Sequence, residues 1–104
     1  MQNQPSNQGQ GQQKQMQIKI SDDILRGSYA NAMQVAHSKE EFTLDFLNLS
    51  PHMGAGIVNA RVIMSPGHVK RVVAALQDNI KRYEDSHGKV EEASRPDGEI
   101  GFQA

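Results

Sequence analysis

Two segments of the chain alternate hydrophobic and polar residues with the period of a β-strand. The clearer one is residues 41–49, where Phe42, Leu44 and Phe46 share one face. Residues 57–64 show the same period, with aliphatic side chains on both faces. A proline and two glycines lie between the two segments, as expected for a loop. We therefore predict two long strands in one antiparallel sheet.

Residues 28–36 are compatible with either a strand or a helix. Alternate residues, among them Met33 and Val35, fall on one face as in a strand, whereas the intervening alanines permit a helix. The polar turn at residues 37–40 leads directly into the strand at 41–49, which favours a hairpin. We prefer the strand and keep the helix as the alternative. A shorter alternation at residues 16–20 predicts a further strand at the edge of the sheet.

A long helix is predicted from Ser65-Pro66 to about His87. Serine can accept a hydrogen bond from the free N–H groups of the first turn, and proline at the first helical position gives up no hydrogen bond. Gly88 is a typical residue after a helix end. Hydrophobic residues recur three or four positions apart, so they form a single stripe. The members of this stripe are Val69, Val72, Val73, Leu76, Ile80 and Tyr83.

These elements predict an α+β fold. We expect an antiparallel sheet of three to four strands, with the long C-terminal helix packed on one face, in two layers. This single domain would span residues 16–88. The glutamine-rich residues 1–15 and the charged residues 89–104 are predicted to be disordered tails, because they hold little that can be buried. The glutamine-rich tail is either an association segment or a solvated extension, and we prefer the extension.

The small size of the domain predicts self-association. The chain has 104 residues, no cysteine for disulfides and four scattered histidines, so neither disulfides nor a metal can supplement the core. One helical stripe covers only one sheet face, and the hydrophobic residues of the other face would stay exposed in a monomer. We therefore predict a homodimer or another closed oligomer. The predicted interface consists of Leu47, Leu49, Ile57 and Ile63.

The charges of the domain are balanced. Residues 16–88 hold eight Lys or Arg and eight Asp or Glu, so the domain exerts no long-range attraction on nucleic acid or anionic lipid. No segment is long and apolar enough to span a bilayer, and the N-terminus lacks the basic and apolar regions of a signal peptide. We expect a cytoplasmic protein that does not bind membranes.

One feature favours nucleic-acid binding as an alternative. Basic residues on the exposed side of the predicted helix, with two arginines from elsewhere, could contact phosphates. Acidic residues on the same helix, and the lack of aromatic residues among the basic ones, favour a solvated surface instead. The candidate contacts are Arg26, Arg61, Lys70, Arg71, Lys81 and Arg82.

Two similar segments, LNLSPHMG and VIMSPGHV, raise the question of Ser/His catalysis. No nucleophile elbow surrounds Ser50 or Ser65, and turn formation or helix capping accounts for both serines. His52 and His68 belong to no zinc-binding motif, and the glycines of MGAGIV precede a strand, where a phosphate-binding loop would precede a helix. We predict no enzyme activity, no metal site and no cofactor.

A charged pair is predicted between neighbouring strands. Asp45 lies inside the strand at residues 41–49, and Arg61 occupies a comparable place in the strand at 57–64. The two side chains can meet across the sheet. We interpret them as a structural pair rather than as part of a binding groove.

Several short motifs resemble a known family. LRGSYAN at residues 25–31, EFTLDF at 41–46 and ARVIMSP at 60–66 are followed by LQDNI at 76–80 and by Tyr83-Glu84 with Gly88. In this order they resemble a family of small prokaryotic proteins known only as a domain of unknown function. The resemblance covers most of the domain and neither tail. It implies one domain without an assigned activity, and no catalytic residue follows from it.

Together these observations predict a protein-interaction or assembly module. We expect the chain to bind copies of itself and an unidentified protein partner. A nucleic-acid-binding protein is the alternative, and a small enzyme ranks third because no catalytic constellation is present.

Overall fold

The structure is a computed structural model, and it describes residues 14–95. Within these residues, three strands, β1 (Ala32–His37), β2 (Phe42–Ser50) and β3 (Ala55–Met64), form one antiparallel sheet in the order β1-β2-β3. The predicted α+β fold, with three strands and a long C-terminal helix, is therefore confirmed. In chain order the elements are α1 (Asp22–Leu25), β1 (Ala32–His37), β2 (Phe42–Ser50), a short 3-10 turn (Pro51–Met53), β3 (Ala55–Met64) and α2 (Pro66–His87).

The hairpin between β1 and β2 turns on Ser38. Its hydroxyl accepts hydrogen bonds from the N–H groups of Glu40 and Glu41 at 3.2 and 3.3 Å, and its own N–H donates to the Glu41 carbonyl at 2.9 Å. These bonds close the polar turn that the sequence predicts. Residues 28–36, which were compatible with a strand or a helix, form a strand from Ala32 onward and contain no helix.

Asn31 ties the start of β1 to β2. Its side-chain N–H donates to the carbonyl of Leu49 at 2.9 Å, and its side-chain oxygen accepts from the N–H of Leu49 at 2.8 Å. Its backbone N–H donates to the carbonyl of Leu47 at 2.9 Å. The side-chain amide of Asn31 thus forms with the backbone of Leu49 the pair of hydrogen bonds that one more backbone residue of β1 would form. Asn59 of β3 donates in a similar way to the carbonyl of Tyr29, so the segment before β1 is anchored to two strands.

Strand β3 contains one more residue than β2 can pair. Phe46 lies opposite Ala60, whereas Leu47 lies opposite Val58, and Asn59 between them has no partner in the ladder. This irregularity is a β-bulge. Because side chains alternate strictly along a strand, one extra residue moves all the following side chains to the other face.

The register divides the sheet into two surfaces, because residues directly opposite each other share a face. The first, face A, is mostly hydrophobic, whereas the second, face B, mixes polar and hydrophobic side chains. Face A comprises Met33, Val35, His37, Phe42, Leu44, Phe46, Asn48, Ser50, Ala55, Ile57, Ala60, Val62 and Met64. Face B comprises Gln34, Ala36, Thr43, Asp45, Leu47, Leu49, Val58, Arg61 and Ile63.

The helix α2 follows β3 with Ser65 as the only connecting residue. The Ser65 hydroxyl accepts a hydrogen bond from the N–H of His68 at 3.2 Å, and Pro66 occupies the first helical position. At the other end, Gly88 adopts a φ of 92° and donates its N–H to the carbonyl of Glu84 at 2.9 Å. The helix therefore begins and ends where capping chemistry predicts.

The helix does not cover the sheet as the predicted two-layer packing requires. No residue of α2 is buried. Val69 and Val72, in its first two turns, are half-buried, and the rest of the stripe is exposed. The spacing of the stripe specifies which side of the helix is apolar, but it does not specify which surface that side packs against. In the single chain, four stripe residues are 47 to 59% exposed: Val73, Leu76, Ile80 and Tyr83.

The buried core of the described residues is small. Leu44 and Leu47, on opposite faces of β2, are its buried hydrophobic residues, at 8% and 3% exposure. Both lie on the central strand, where neighbouring side chains on two sides shield them. A core of this size offers little hydrophobic stabilisation.

The predicted edge strand at residues 16–20 is wrong. These residues form neither helix nor strand, and Met16 and Ile18 are 86% and 91% exposed. Three alternating hydrophobic residues are too few to specify a strand without a partner that continues the ladder. The predicted tails at 1–15 and 89–104 lie mostly outside the described residues, and residues 89–95 contain no helix or strand.

Candidate functional site

Asp45 and Arg61 form an ion pair at the centre of face B. The two residues lie directly opposite each other on β2 and β3. The Nε of Arg61 donates to Oδ1 of Asp45 at 2.7 Å, and Nη2 donates to Oδ2 at 2.9 Å. The Asp45 side chain is 8% exposed, whereas that of Arg61 is 59% exposed. The predicted cross-strand pair is therefore confirmed, with bidentate geometry that fixes both side chains.

This pairing shifts the ionisation of both groups. The hydrogen bonds from Arg61 lower the pKa of the Asp45 carboxyl; burial opposes this effect, and the positive charge of Arg61 reinforces it. The pKa of Arg61 is raised, mainly by the hydrogen bonds to Asp45 and further by the negative charge of the Asp45 carboxylate. At neutral pH the Asp45 carboxyl is therefore ionised and hydrogen-bonded to Arg61, and its lowered pKa makes it a poor proton acceptor.

The pair predicts a loss of stability in acid. A carboxyl whose pKa is lower in the folded than in the unfolded chain adds stability above its ordinary pKa, near 4, and that stability disappears as the pH falls through the folded value. We expect the free energy of unfolding of the wild type to fall more steeply than that of Asp45→Asn between about pH 5 and pH 2. Urea titrations at several pH values measure both slopes.

Asp85→Asn is the matched control for this experiment. Asp85 also pairs with a basic residue, Lys81, at 3.1 Å, but both side chains are well exposed. Exposed pairs contribute little to stability, so this variant should keep the acid slope of the wild type. Equal slopes for the wild type and Asp45→Asn would contradict a stabilising role for the Asp45 carboxylate.

Face B forms a shallow depression around the ion pair. Gln34, Ala36 and Thr43 line it together with the paired side chains. Amide, hydroxyl and guanidinium groups can hydrogen-bond a polar partner. The one carboxylate in its lining, that of Asp45, is hydrogen-bonded to Arg61.

Face A and the helical stripe both carry exposed hydrophobic side chains. On face A, Met33 and Val35 are each 50% exposed and Val62 is 39% exposed. The stripe on α2 is exposed to a similar degree from Val73 onward. Large exposed apolar surfaces are common at sites where proteins bind partners.

The four residues of the predicted interface do not share one surface. Leu47 is already buried within the chain, and Leu49 is half-buried. Ile57 lies opposite Asn48, so the bulge places it on the side of face A, whereas Ile63 lies opposite Thr43 on face B. Ile57 and Ile63 are nevertheless 63% and 54% exposed, and their role in an interface stays a prediction.

Most of the candidate phosphate-contacting residues are engaged with carboxylates. Lys81 pairs with Asp85 at 3.1 Å and Arg82 with Asp78 at 2.9 Å, both across one turn of α2. Arg71 lies with Nη2 at 3.0 Å from Nδ1 of His68. Away from the helix, Arg26 pairs with Asp23, and Arg61 pairs with Asp45 as described above. Lys70 lies on the same helix, and its surface thus carries alternating charges.

The two Ser-Pro segments lie at opposite ends of the sheet. Ser50 pairs with Ala55 at one end, whereas Ser65 follows Met64, which pairs with Phe42 at the other. Ser65 uses its hydroxyl as the helix cap. The structure therefore does not bring Ser50 and His52 together with Ser65 and His68, and no joint Ser/His site forms from them.

Residues 14–95 contain neither a metal-binding cluster nor a membrane-spanning helix. This part of the chain brings together no group of three or more His, Asp or Glu side chains that could hold a metal ion. It also includes no helix with the length and hydrophobicity needed to cross a bilayer.

The sequence pattern missed the two asparagines that anchor the segment before β1. The alternation places Asn31 and Asn59 only as members of the predicted strands at residues 28–36 and 57–64, yet both donate side-chain hydrogen bonds to distant backbone carbonyls. The sequence does contain a signal for this role: both asparagines are polar residues at positions where strands favour β-branched or aromatic residues. Asn31 also belongs to the LRGSYAN motif, which places part of that motif at this anchor.

The chain was compared with known proteins in three ways. No curated protein and no solved structure matches the chain. One family model does match, over residues 1–92, and its description is a protein of unknown function (DUF3467). The predicted resemblance to a family of unknown function is thereby confirmed, and the match also includes the N-terminal tail, which the resemblance left out. Since the match covers most of its length, the chain belongs to this family of proteins of unknown function.

Proposed function

We propose that this domain is a homo-oligomeric assembly module. The observation that carries the proposal is the pair of exposed hydrophobic surfaces, face A and the stripe on α2, in a chain with only a small buried core. Burying apolar surface is the main favourable term in folding. A second copy brings the same two surfaces, so association supplies the burial that one chain lacks.

The polar features of the domain support binding rather than catalysis. The buried carboxylate of Asp45 is held by Arg61, and Ser65 is used as a helix cap. Neither group is available as a nucleophile or base in this arrangement. The proposed module therefore acts through its surfaces, with the depression on face B as a polar contact area.

Light scattering during gel filtration tests the proposal. We expect the full chain to have at least twice the mass of one chain at micromolar concentration. A shortened chain of residues 15–88 should keep that mass, because the described hydrophobic surfaces lie within it. A monomeric mass for the full chain would refute the proposal. An oligomer that dissociates on shortening, with the domain still folded, would assign association to the glutamine-rich tail.

Nucleic-acid binding is the alternative with weaker support. The ion pairs on α2 reduce the number of basic groups that can neutralise phosphates. An anisotropy titration with random DNA and RNA at two salt concentrations distinguishes the two functions. Salt-sensitive binding that is weakened by Lys70→Ala/Arg71→Ala would favour the alternative.

A further inference from the structure

We propose that two copies exchange their C-terminal helices, so that α2 of each lies across face A of the other. This inference rests on the proposed function and specifies the contact that produces the oligomer. The relevant surfaces are the stripe of α2 and face A, both defined above. Both surfaces include side chains that are about half exposed in the single chain, such as Val35 of face A and Leu76 of the stripe, so a second copy is the partner that this chain itself supplies.

The first support is that the helix leaves its own sheet unoccupied. Ser65 alone connects Met64 to Pro66, and this short connection fixes the direction in which the helix departs from β3. Val69 and Val72 are half-buried near that junction, whereas Leu76 is 59% exposed. Beyond its first turns, the helix is therefore positioned to reach another chain.

The second support is the match in size between the two surfaces. The 22 residues of α2 measure about 33 Å at 1.5 Å per residue. The nine residues of β2 measure about 30 Å at 3.3 Å per residue. Three strands about 4.8 Å apart form a sheet roughly as wide as one helix with its side chains, about 10–12 Å. One helix can thus cover face A completely.

The third support is that exchange buries both surfaces at once. A dimer that joins two α2 helices would leave face A exposed, and a dimer that joins two faces A would leave the stripe exposed. Reciprocal exchange about a two-fold axis covers both surfaces in both copies and closes the assembly. A helix packed on a sheet also reproduces the two-layer arrangement that α+β domains adopt.

The fourth support is the distribution of charge around α2. At about 100° per residue, the pairs Asp78–Arg82 and Lys81–Asp85 lie on the side of the helix opposite the stripe. With the stripe against face A, these ion pairs remain in solvent. Face A has no Lys, Arg, Asp or Glu side chain, and the ring of His37 stacks on that of Phe42 with 5.3 Å between their centroids. The contact therefore buries no unpaired carboxylate, ammonium or guanidinium.

Cross-linking of mixed single-cysteine variants tests this contact. The chain has no cysteine of its own, so each variant carries one thiol. Val35→Cys marks face A, and Leu76→Cys marks the stripe. After the two variants are unfolded and refolded together, a short bismaleimide should link them into a covalent dimer with a yield several-fold above the controls.

In each of two control mixtures, one thiol is moved to a residue nearby in sequence that lies on a different surface. Ala36→Cys, adjacent to Val35 on face B, replaces the first thiol, and Ala74→Cys, on the polar side of α2, replaces the second. Dominant linkage within Val35→Cys alone would indicate a sheet-to-sheet dimer. Dominant linkage within Leu76→Cys alone would indicate a helix-to-helix dimer. Either result would overturn helix exchange.

The unmodified protein provides an independent measurement. In a mixed sample of isotope-labelled and unlabelled chains, filtered NMR spectra should show contacts between methyl groups of Val35 or Val62 and those of Leu76 or Ile80. Light scattering on the same sample separates the two hypotheses, which are oligomerisation of the domain and exchange of the α2 helices. A monomer would refute both, whereas an oligomer without these contacts would refute only the exchange of helices.

Discussion

Changing two residues of the stripe, in the variant Leu76→Lys/Ile80→Lys, should dissociate the oligomer. The two side chains are 59% and 52% exposed in the single chain, so about half of their burial is still to be gained. Full burial of such a side chain is worth about 1.5–3 kcal/mol. Two copies contribute four side chains, and together they lose at least about 3 kcal/mol, or about a hundredfold in the dissociation constant. Light scattering over a dilution series measures the shift.

A second double-lysine variant controls for the added charge. Ala74→Lys/Ala75→Lys places two lysines on the same helix, away from the stripe. Alanine and lysine have similar helix propensities, so the helix should persist in this variant. It should keep the oligomeric mass of the wild type. If both double variants dissociate alike, general charge repulsion rather than the stripe controls association.

The largest loss of stability is expected from Leu44→Ala. Leu44 is 8% exposed and lies at the middle of the central strand, directly between Val35 and Val62. Removing a buried leucine side chain costs about 2–5 kcal/mol, because it forfeits transfer energy and leaves a cavity. Small domains are stable by only about 5–15 kcal/mol. The variant should therefore lie close to unfolding.

Urea denaturation followed by circular dichroism measures this loss. All samples should have one protein concentration, because association adds to the apparent stability of the folded state. Leu25→Ala is the matched control, since the same side chain is removed from a position that is 67% exposed. Its effect should stay within about 0.5 kcal/mol. Equal losses for the two variants would show that Leu44 is not part of a stabilising core.

The strands and the long helix could be predicted because each has a clear period and chemical boundaries. The strand at residues 41–49 and its neighbour at 57–64 correspond closely to β2 and β3. Ser65 and Gly88 carry hydrogen bonds that mark the ends of α2. In contrast, the alternation at residues 16–20 predicts a strand that does not form, since strand formation needs a paired neighbour as well as a period.

The position of Ile57 shows why surfaces are harder to predict than elements. Counting alternate residues back from Ile63 assigns Ile57 to the same face. The bulge at Asn59 reverses that assignment, and nothing in the period of the sequence reveals it. The pair of Asp45 and Arg61 lies on the other side of the bulge, where the simple count still holds, and it was predicted correctly.

The surface against which α2 packs also cannot be predicted from the spacing of its hydrophobic residues. A stripe of hydrophobic residues establishes that one side of a helix must be covered. It does not establish whether the covering surface belongs to the same chain. The half-buried Val69 and the exposed Ile80 belong to one stripe, yet their environments differ because the helix leaves the sheet.

The bulge at Asn59 also affects how readily the sheet could be extended by further chains. A sheet of three strands has two open edges, and the unpaired backbone groups of a regular edge can recruit further chains without limit. Here one edge strand, β3, is interrupted by the bulge, and the other, β1, has only six residues. Neither edge offers a long, regular template. Association is thereby directed to the faces of the sheet, where a closed complex can end it.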